Sequence, residues 1–238
     1  MGRAFEYRKE RKFKRWGQMS RTFTKIGREI AMAVKAGGPN PESNLRLRVA
    51  IQNARAANMP KENIERAIKR ATTKEQEDYK EMVYEGYAPH GIAVIIDCAT
   101  DNPNRTVANL RSYFNKTGGS LGVSGSVAFM FDRKSVIRIS QNAVKDVEEF
   151  ELEMIDYGVE EVMIDHEEQQ LVIYAPFENF GDVTRALENK GIEIIKSEFE
   201  RIPNVTKELT PEQEEDVHKL FEKLEEDDDV QNYFSTLA

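Results

Sequence analysis

Residues 82–131, MVYEGYAPHGIAVIIDCATDNPNRTVANLRSYFNKTGGSLGVSGSVAFMF, decide the fold. Two apolar stretches, Met82–Tyr87 and Ile92–Cys98, flank Ala88-Pro89-His90-Gly91, so a hairpin is predicted. The uninterrupted run Ile92–Ile96 predicts a strand covered on both faces. Asp101–Asn104 can cap a helix whose buried face is Val107, Leu110 and Phe114, and Gly118-Gly119 ends it. The glycine-rich GGSLGVSGS then leads into a strand predicted over Val127–Phe131. This β-β-α-β order is three quarters of a split-βαβ unit, lacking one helix and one strand.

The missing pieces lie at the far end of the chain. Pro211–Glu226 reads as an acid-rich amphipathic helix and Asp229–Thr236 as a strand. Between them, strands are predicted at Ser135–Ile139, Glu161–Ile164, Gln170–Tyr174 and Ile192–Phe199, and helices at Val144–Tyr157 and Phe180–Asn189. That is a second α/β unit of similar grammar, spliced into the first.

On the N-terminal side the period changes from two to about 3.6 residues. A helix is predicted from about Thr22 to Ala36, with Ile26, Ile30, Ala33 and Val34 on one face and Gly37-Gly38-Pro39 as the stop. A second opens at Pro41-Glu42 and repeats Leu47, Ala50, Ile51 and Ala54. A third starts at Asn58-Met59-Pro60, buries Ile64, Ala67 and Ile68, and sets Glu62 with Arg66 and Glu65 with Lys69 at i, i+4. The fold class is therefore α+β: an N-terminal three-helix domain followed by two split-βαβ (ferredoxin-like) α/β domains, the second inserted into the first. The expected domains are residues 1–75, 80–132 with 206–238, and 133–205.

Charge separates these parts. Residues 1–70 hold eleven Arg and seven Lys against six Glu and no Asp, although the whole chain of 238 residues carries −8. Such asymmetry is that of a basic element that finds phosphates beside an acidic body. From Arg3 to Arg15, seven cations face two acids and are interleaved with Phe5, Tyr7 and Phe13, with Trp16 next. Residues 5–16 have no clean apolar face, so an arm, or a helix ordered only against a partner or the neighbouring domain, is expected. A disordered solubility tail would be poor in aromatics, whereas stacking on a base is worth about 1–3 kcal/mol. The candidate nucleic-acid contacts are Arg8, Lys9, Arg11, Lys12, Lys14, Arg15, Trp16, Arg21, Lys25, Arg46, Arg48 and Arg55. Arg66 and Lys69 read instead as a solvated face.

With 39% apolar and 32% charged residues, the chain is globular but polar, as small domains with divided cores are. No purely apolar run is longer than Ile92–Ile96, far below the roughly 20 residues that cross a bilayer. No apolar h-region follows the positive N-terminal stretch. Cys98 is the single cysteine, which excludes an intramolecular disulfide and a Cys-rich zinc site. A reducing cytoplasm is the expected compartment, with no membrane partner.

Enzymatic readings find no support. His90, His166 and His218 fall in a turn, a hairpin tip and an acidic helix, without ligand or triad spacing. Cys98 reads as a small core thiol. GGSLGVSG lacks a Walker lysine and precedes a strand, and Glu225–Asp229 lacks calcium-loop spacing, so it reads as a solvated helix end or a protein-partner patch. No cofactor or metal is implied. TDNPNRT (100–106) reads first as an N-cap, but Arg105 beside a helix N-terminus is a further candidate to grip a phosphate.

Taken together, NMPKENIERAIKR (58–70), YEGYAPHG (84–91), TDNPNRT (100–106), NKTGGSLGVSGSVAFMF (115–131) and DDDVQN (227–232) make the chain resemble the YebC/PmpR family over nearly its full length. Members of that family are known as probable transcriptional regulators, and mitochondrial relatives act as translational activators of a cytochrome oxidase subunit. The resemblance implies an N-terminal helical domain followed by two α/β domains. It also implies either DNA-binding regulation or, as in ribosome-associated members, help to translation through sequences such as proline runs. The chain departs from the family at Gly2-Arg3-Ala4-Phe5-Glu6, where many members open Gly-His-Ser-Lys-Trp. It departs again at Ala88 and His90, where the family turn is richer in glycine. The expected function is thus a non-enzymatic regulator of gene expression that binds duplex DNA; the alternative is a factor that binds structured RNA or the ribosome. A small-molecule sensor, with an effector between paired α/β domains, is the reading from a different class.

Overall fold

The computed structural model describes residues 3–73 and 78–238, and for residues 3–17 the backbone alone. The first helix, α1 (Arg3–Gly37), is continuous, so the backbone of the expected arm extends the helix predicted from Thr22. A chain turn at 38–44 leads to α2 (Leu45–Ala56), and α3 (Lys61–Ala71) follows. Asn44, not Pro41-Glu42, opens α2. Its Oδ1 accepts the Leu47 N–H at 3.1 Å, while its Nδ2 donates to the Ala33 and Gly38 carbonyls at 2.7 and 2.8 Å. One buried amide therefore satisfies orphan groups at the end of one helix and the start of the next. Ile26, Ile30, Val34, Leu47, Ala50, Ala54, Met59 and Ile64 make the core between the three helices. The i, i+4 pairing on α3 is Lys61 with Glu65 at 3.7 Å. The expected Glu62–Arg66 and Glu65–Lys69 pairs are not among the ion pairs of the described residues.

The first sheet holds β1 (Lys80–Ala88), β2 (Ile92–Thr100), the short β3 (Ser120–Leu121) and, from the far end of the chain, β8 (Val230–Ser235), in the order β3-β1-β2-β8. Helices α4 (Pro103–Thr117) and α7 (Pro211–Glu226) cover one face through Leu110, Phe114, Val217, Leu220 and Leu224. Val127, Phe131 and Phe234 pack with Ala93 and Ile95 on the other face. Cover on both sides explains why Ile92–Ile96 is apolar throughout. In the hairpin, His90 adopts φ 61°, the left-handed conformation that favours glycine. Its ring nitrogen lies 3.2 Å from Asp216 on α7, and Lys207 donates to its carbonyl at 2.6 Å.

The strand expected at Val127–Phe131 is instead a 3₁₀ turn at Ala128–Met130, and β3 takes the place beside β1. Buried Glu85 is the reason. Its carboxylate accepts the N–H groups of Gly125, Val127 and Ala128 at 2.7, 2.7 and 2.9 Å, removing the donors that a strand would need. Close approach of β3 also depends on Gly86, where a Cβ would sit 2.7 Å from the Ser120 carbonyl oxygen.

The second sheet has the order β5-β6-β4-β7, made from β4 (Phe131–Ser140), β5 (Glu161–Asp165), β6 (Gln170–Pro176) and β7 (Ile194–Pro203). Helices α5 (Val147–Ile155) and α6 (Phe180–Asn189) pack on it through Phe150, Met154, Val183 and Leu187. Its entrance and exit are antiparallel neighbours, Phe131 opposite Pro203, so the excursion leaves and rejoins the first unit at one place. Helix α2 closes the β7 edge: the Asn53 side chain donates to the Ser197 carbonyl at 2.7 Å and accepts the Ser197 N–H at 3.0 Å.

Candidate nucleic-acid interface

The side chains of Arg8, Lys9, Arg11, Lys12, Lys14, Arg15 and Trp16 lie outside the described residues. From Arg21 on, side chains are defined, and Arg21, Lys25 and Arg28 repeat at helical spacing along one side of α1. This side faces the acidic run Glu225–Asp229, at the end of α7 and in the turn that follows it. Arg21 is 3.6 Å from Glu226, and Arg28 is 2.7 Å from Asp229. Burial pulls the Lys25 ammonium below its ordinary value, against the opposing influence of Glu225, Asp228 and Asp227. The acidic run is thus an intramolecular counter-surface for α1. Sequence reading had no signal for that contact, because nothing local says which helix an acidic stretch will meet.

Asp229 is the centre of this contact, with its side chain 4% exposed. Arg28 Nη1 donates to its Oδ1 and to the Ala99 carbonyl, each at 2.7 Å. Arg105 Nη2 donates to its Oδ2 at 2.8 Å and to Asp101 at 2.7 Å, while Thr106 Oγ1 sits 2.8 Å from Oδ2. Burial alone would raise the Asp229 carboxyl, but the bonds from Arg105, Arg28 and Thr106 outweigh it and hold the group below the usual carboxylate value. Asn102 caps α4 by accepting the Arg105 N–H at 3.1 Å. Arg105 therefore sits beside a helix N-terminus as expected, with two carboxylates already on its guanidinium.

The other candidates are placed as follows. Arg46 pairs with Glu81, and Arg48 pairs with Glu188 at 2.6 Å. Arg55 is exposed on α2. On α3, Arg66 and Arg70 are exposed, and neither forms an ion pair with a described residue. They border a groove of about 370 Å³ between α1 and α3, with Phe23, Gly27, Asn63 and Tyr79 among its walls. The Arg28 guanidinium lies 5.1 Å from the Tyr79 ring centroid. Arg66 is exposed, as the reading of a solvated face expects, but without the expected Glu62 partner among the described residues.

The glycine-rich loop is anchored beneath by Glu85 and presents Val123 and, just beyond it, Phe129 to solvent. Cys98 is buried, and burial pushes its thiol well up. His166 lies in the β5–β6 turn, and His218 lies on α7 with its ring against Phe221. Among the described residues, no three His, Cys, Asp or Glu side chains form a group that could hold a metal, and no helix is long and apolar enough to cross a membrane.

Comparison with known proteins matches residues 3–74 to the TACO1/YebC protein N-terminal domain and residues 79–237 to the TACO1/YebC second and third domain. A "probable transcriptional regulatory protein" of Flavobacterium johnsoniae is 60% identical over 237 residues, covering 100% of this chain and 99% of the relative. One of the same name from Parabacteroides distasonis is 59% identical, covering 100% and 97%. The crystal structure of a conserved hypothetical protein from Aquifex aeolicus superposes with a TM-score of 0.78 at 42% identity, over 93% of this chain and 90% of that one.

Proposed function

Because the chain belongs to the TACO1/YebC family, we propose that it is a non-enzymatic, nucleic-acid-binding regulator of gene expression, a reading in line with its relatives' name, probable transcriptional regulatory protein. The supporting observation is charge segregation: eighteen Arg and Lys lie in residues 1–70, in a chain whose net charge is −8. Residues 1–75 form the binding domain in this reading, and 80–132 with 206–238 and 133–205 form two α/β domains that orient it. Arg8, Lys9, Arg11, Lys12, Lys14, Arg15 and Trp16 make the leading contacts, joined by Arg55. Arg21, Lys25, Arg46, Arg48 and Arg105 contribute less, because each already faces acids of the same chain. The protein works in the cytoplasm, on duplex DNA as a transcriptional regulator.

A second reading, a factor bound to structured RNA or the ribosome, is favoured by the exposed Arg66 and Arg70 beside Phe23 and Tyr79. Cations next to aromatic rings suit unstacked bases better than a closed duplex. Competition at equal salt and equal phosphate concentration separates the two. Displacement from duplex DNA by ribosomes or folded RNA, with Trp16→Ala weakening RNA binding more than duplex binding, supports the RNA reading. A specific duplex bound about a thousandfold more tightly than random DNA, and resistant to ribosomes, supports the transcriptional one. Absence of binding to either nucleic acid ends both.

A further inference from the structure

We propose that the groove between α1 and α3 is a subsite for one unstacked nucleotide of a single-stranded nucleic acid, a placement that rests on the second, RNA-binding reading above and gives it an address. Four features of the groove combine. Its volume, about 370 Å³, lies at the small end of ligand sites, roughly 300–1,000 Å³, and suits a base with its sugar better than a longer ligand. Phe23 and Tyr79 supply aromatic surface, and every base has a π-face to stack on it. Arg66 and Arg70, one turn apart on α3, border it and reach solvent, where the phosphates on either side of a flipped-out base would run. Asn63 adds an amide that can both donate to and accept from a base edge.

Two further observations mark the groove as held open. Gly27 lies in the middle of α1, where glycine costs helix stability relative to alanine. A methyl group there would meet nothing within 4 Å, so the missing side chain is not demanded by packing. It leaves the groove its depth. Tyr79 is fixed in turn: the Arg28 guanidinium that lies against its ring is itself held by Asp229 and the Ala99 carbonyl. The stacking surface is therefore set before a ligand arrives, which lowers the entropy cost of binding.

The test uses the full chain with short labelled single strands of RNA and of DNA, and a duplex of equal phosphate count. Gly27→Leu fills the groove without changing charge. It is expected to weaken single-strand binding about tenfold, the scale of one lost stack, while duplex binding stays within about threefold. Arg66→Gln with Arg70→Gln should weaken the single strands more than the duplex. Strands carrying 5-iodouracil, irradiated and digested, should crosslink to peptides containing Phe23 or Tyr79, a readout that does not depend on any variant folding. Preference for RNA over DNA in these arms would assign the sugar. Unchanged single-strand binding by Gly27→Leu, or crosslinks confined to residues 3–17, overturns the groove. In that case strong loss on deleting residues 1–20 would keep the general function standing, whereas no binding by the parent protein removes both.

Discussion

Asp229, in the turn that leads into β8, accepts a 2.7 Å hydrogen bond from Arg28 of α1, 201 residues earlier in the chain. The same carboxylate holds Arg105 and Thr106 at the start of α4. One buried acid thus ties the basic helix, the first strand pair and the closing strand together.

Replacing Asp229 by Ala leaves two guanidinium groups without their shared partner, and breaking a buried pair costs about 3–5 kcal/mol. Denaturant unfolding of Asp229→Ala should show a loss of that order. The pH dependence has a definite sign. Because the folded-state value is depressed, the stability from Asp229 is fully present above its ordinary value of 3.8 and is lost as pH falls below it through the folded-state value. Asp229→Ala should therefore lose its deficit relative to the parent only in strong acid.

Glu85 holds the 122–128 loop through three backbone bonds. Burial pushes its carboxyl up, and the three N–H donors more than reverse that, so its net value is lowered. Glu85→Ala should cost about 2–4 kcal/mol, since bonds to a charged acceptor are worth about 1.5–3 kcal/mol and the donors left behind are poorly solvated. Amide hydrogen exchange should quicken first at Val127 and Ala128.

On the nucleic-acid reading, the acidic run that faces α1 would compete with phosphate for it. Neutralising exposed Glu226 and Asp228 together, by Glu226→Gln and Asp228→Asn, should raise nucleic-acid affinity about two- to tenfold at low salt. Exposed charges are screened over about 10 Å at 0.1 M salt, so the gain should fade toward 0.5 M. Fluorescence anisotropy across a salt series measures both. An affinity gain that persists undiminished at high salt would contradict an electrostatic origin.

A chain ended after Arg201 loses α7 and β8, and with them Val217, Leu220, Phe221, Leu224 and Val230 from the first core. The open β2 edge and the stranded Arg28 and Arg105 would follow. Such a fragment should be insoluble or melt without cooperativity, and a cooperative calorimetric transition for residues 80–132 within it would refute the dependence.

Gly27→Ala should stabilise the protein by about 0.5–1 kcal/mol, because a methyl group there meets open space and alanine is the better helix former. A raised melting temperature checks it.

Much of this architecture was legible as local pattern. Short apolar runs located Met82–Tyr87 and Ile92–Cys98, a run of period 3.6 located Phe180–Asn189, and the incomplete ββαβ at residues 82–131 demanded a helix and a strand that the C-terminal end offered. Less was legible where a long-range partner overrides a local signal. Val127–Phe131 has strand composition, yet the Glu85 carboxylate, about 40 residues upstream, takes its N–H groups and turns it. Nothing local to Arg21 and Lys25 says that the end of α7 and the turn after it will bring acids to them. The sequence by itself determined the α+β class, the nested order of its units and the concentration of positive charge at one end, since these depend on periodicity and composition that any window of the chain displays. Only the tertiary structure decided which of the cations with described side chains pair with acids of the same chain and where a groove opens between α1 and α3, because charge pairing and cavity shape depend on through-space neighbours that sequence separation does not encode.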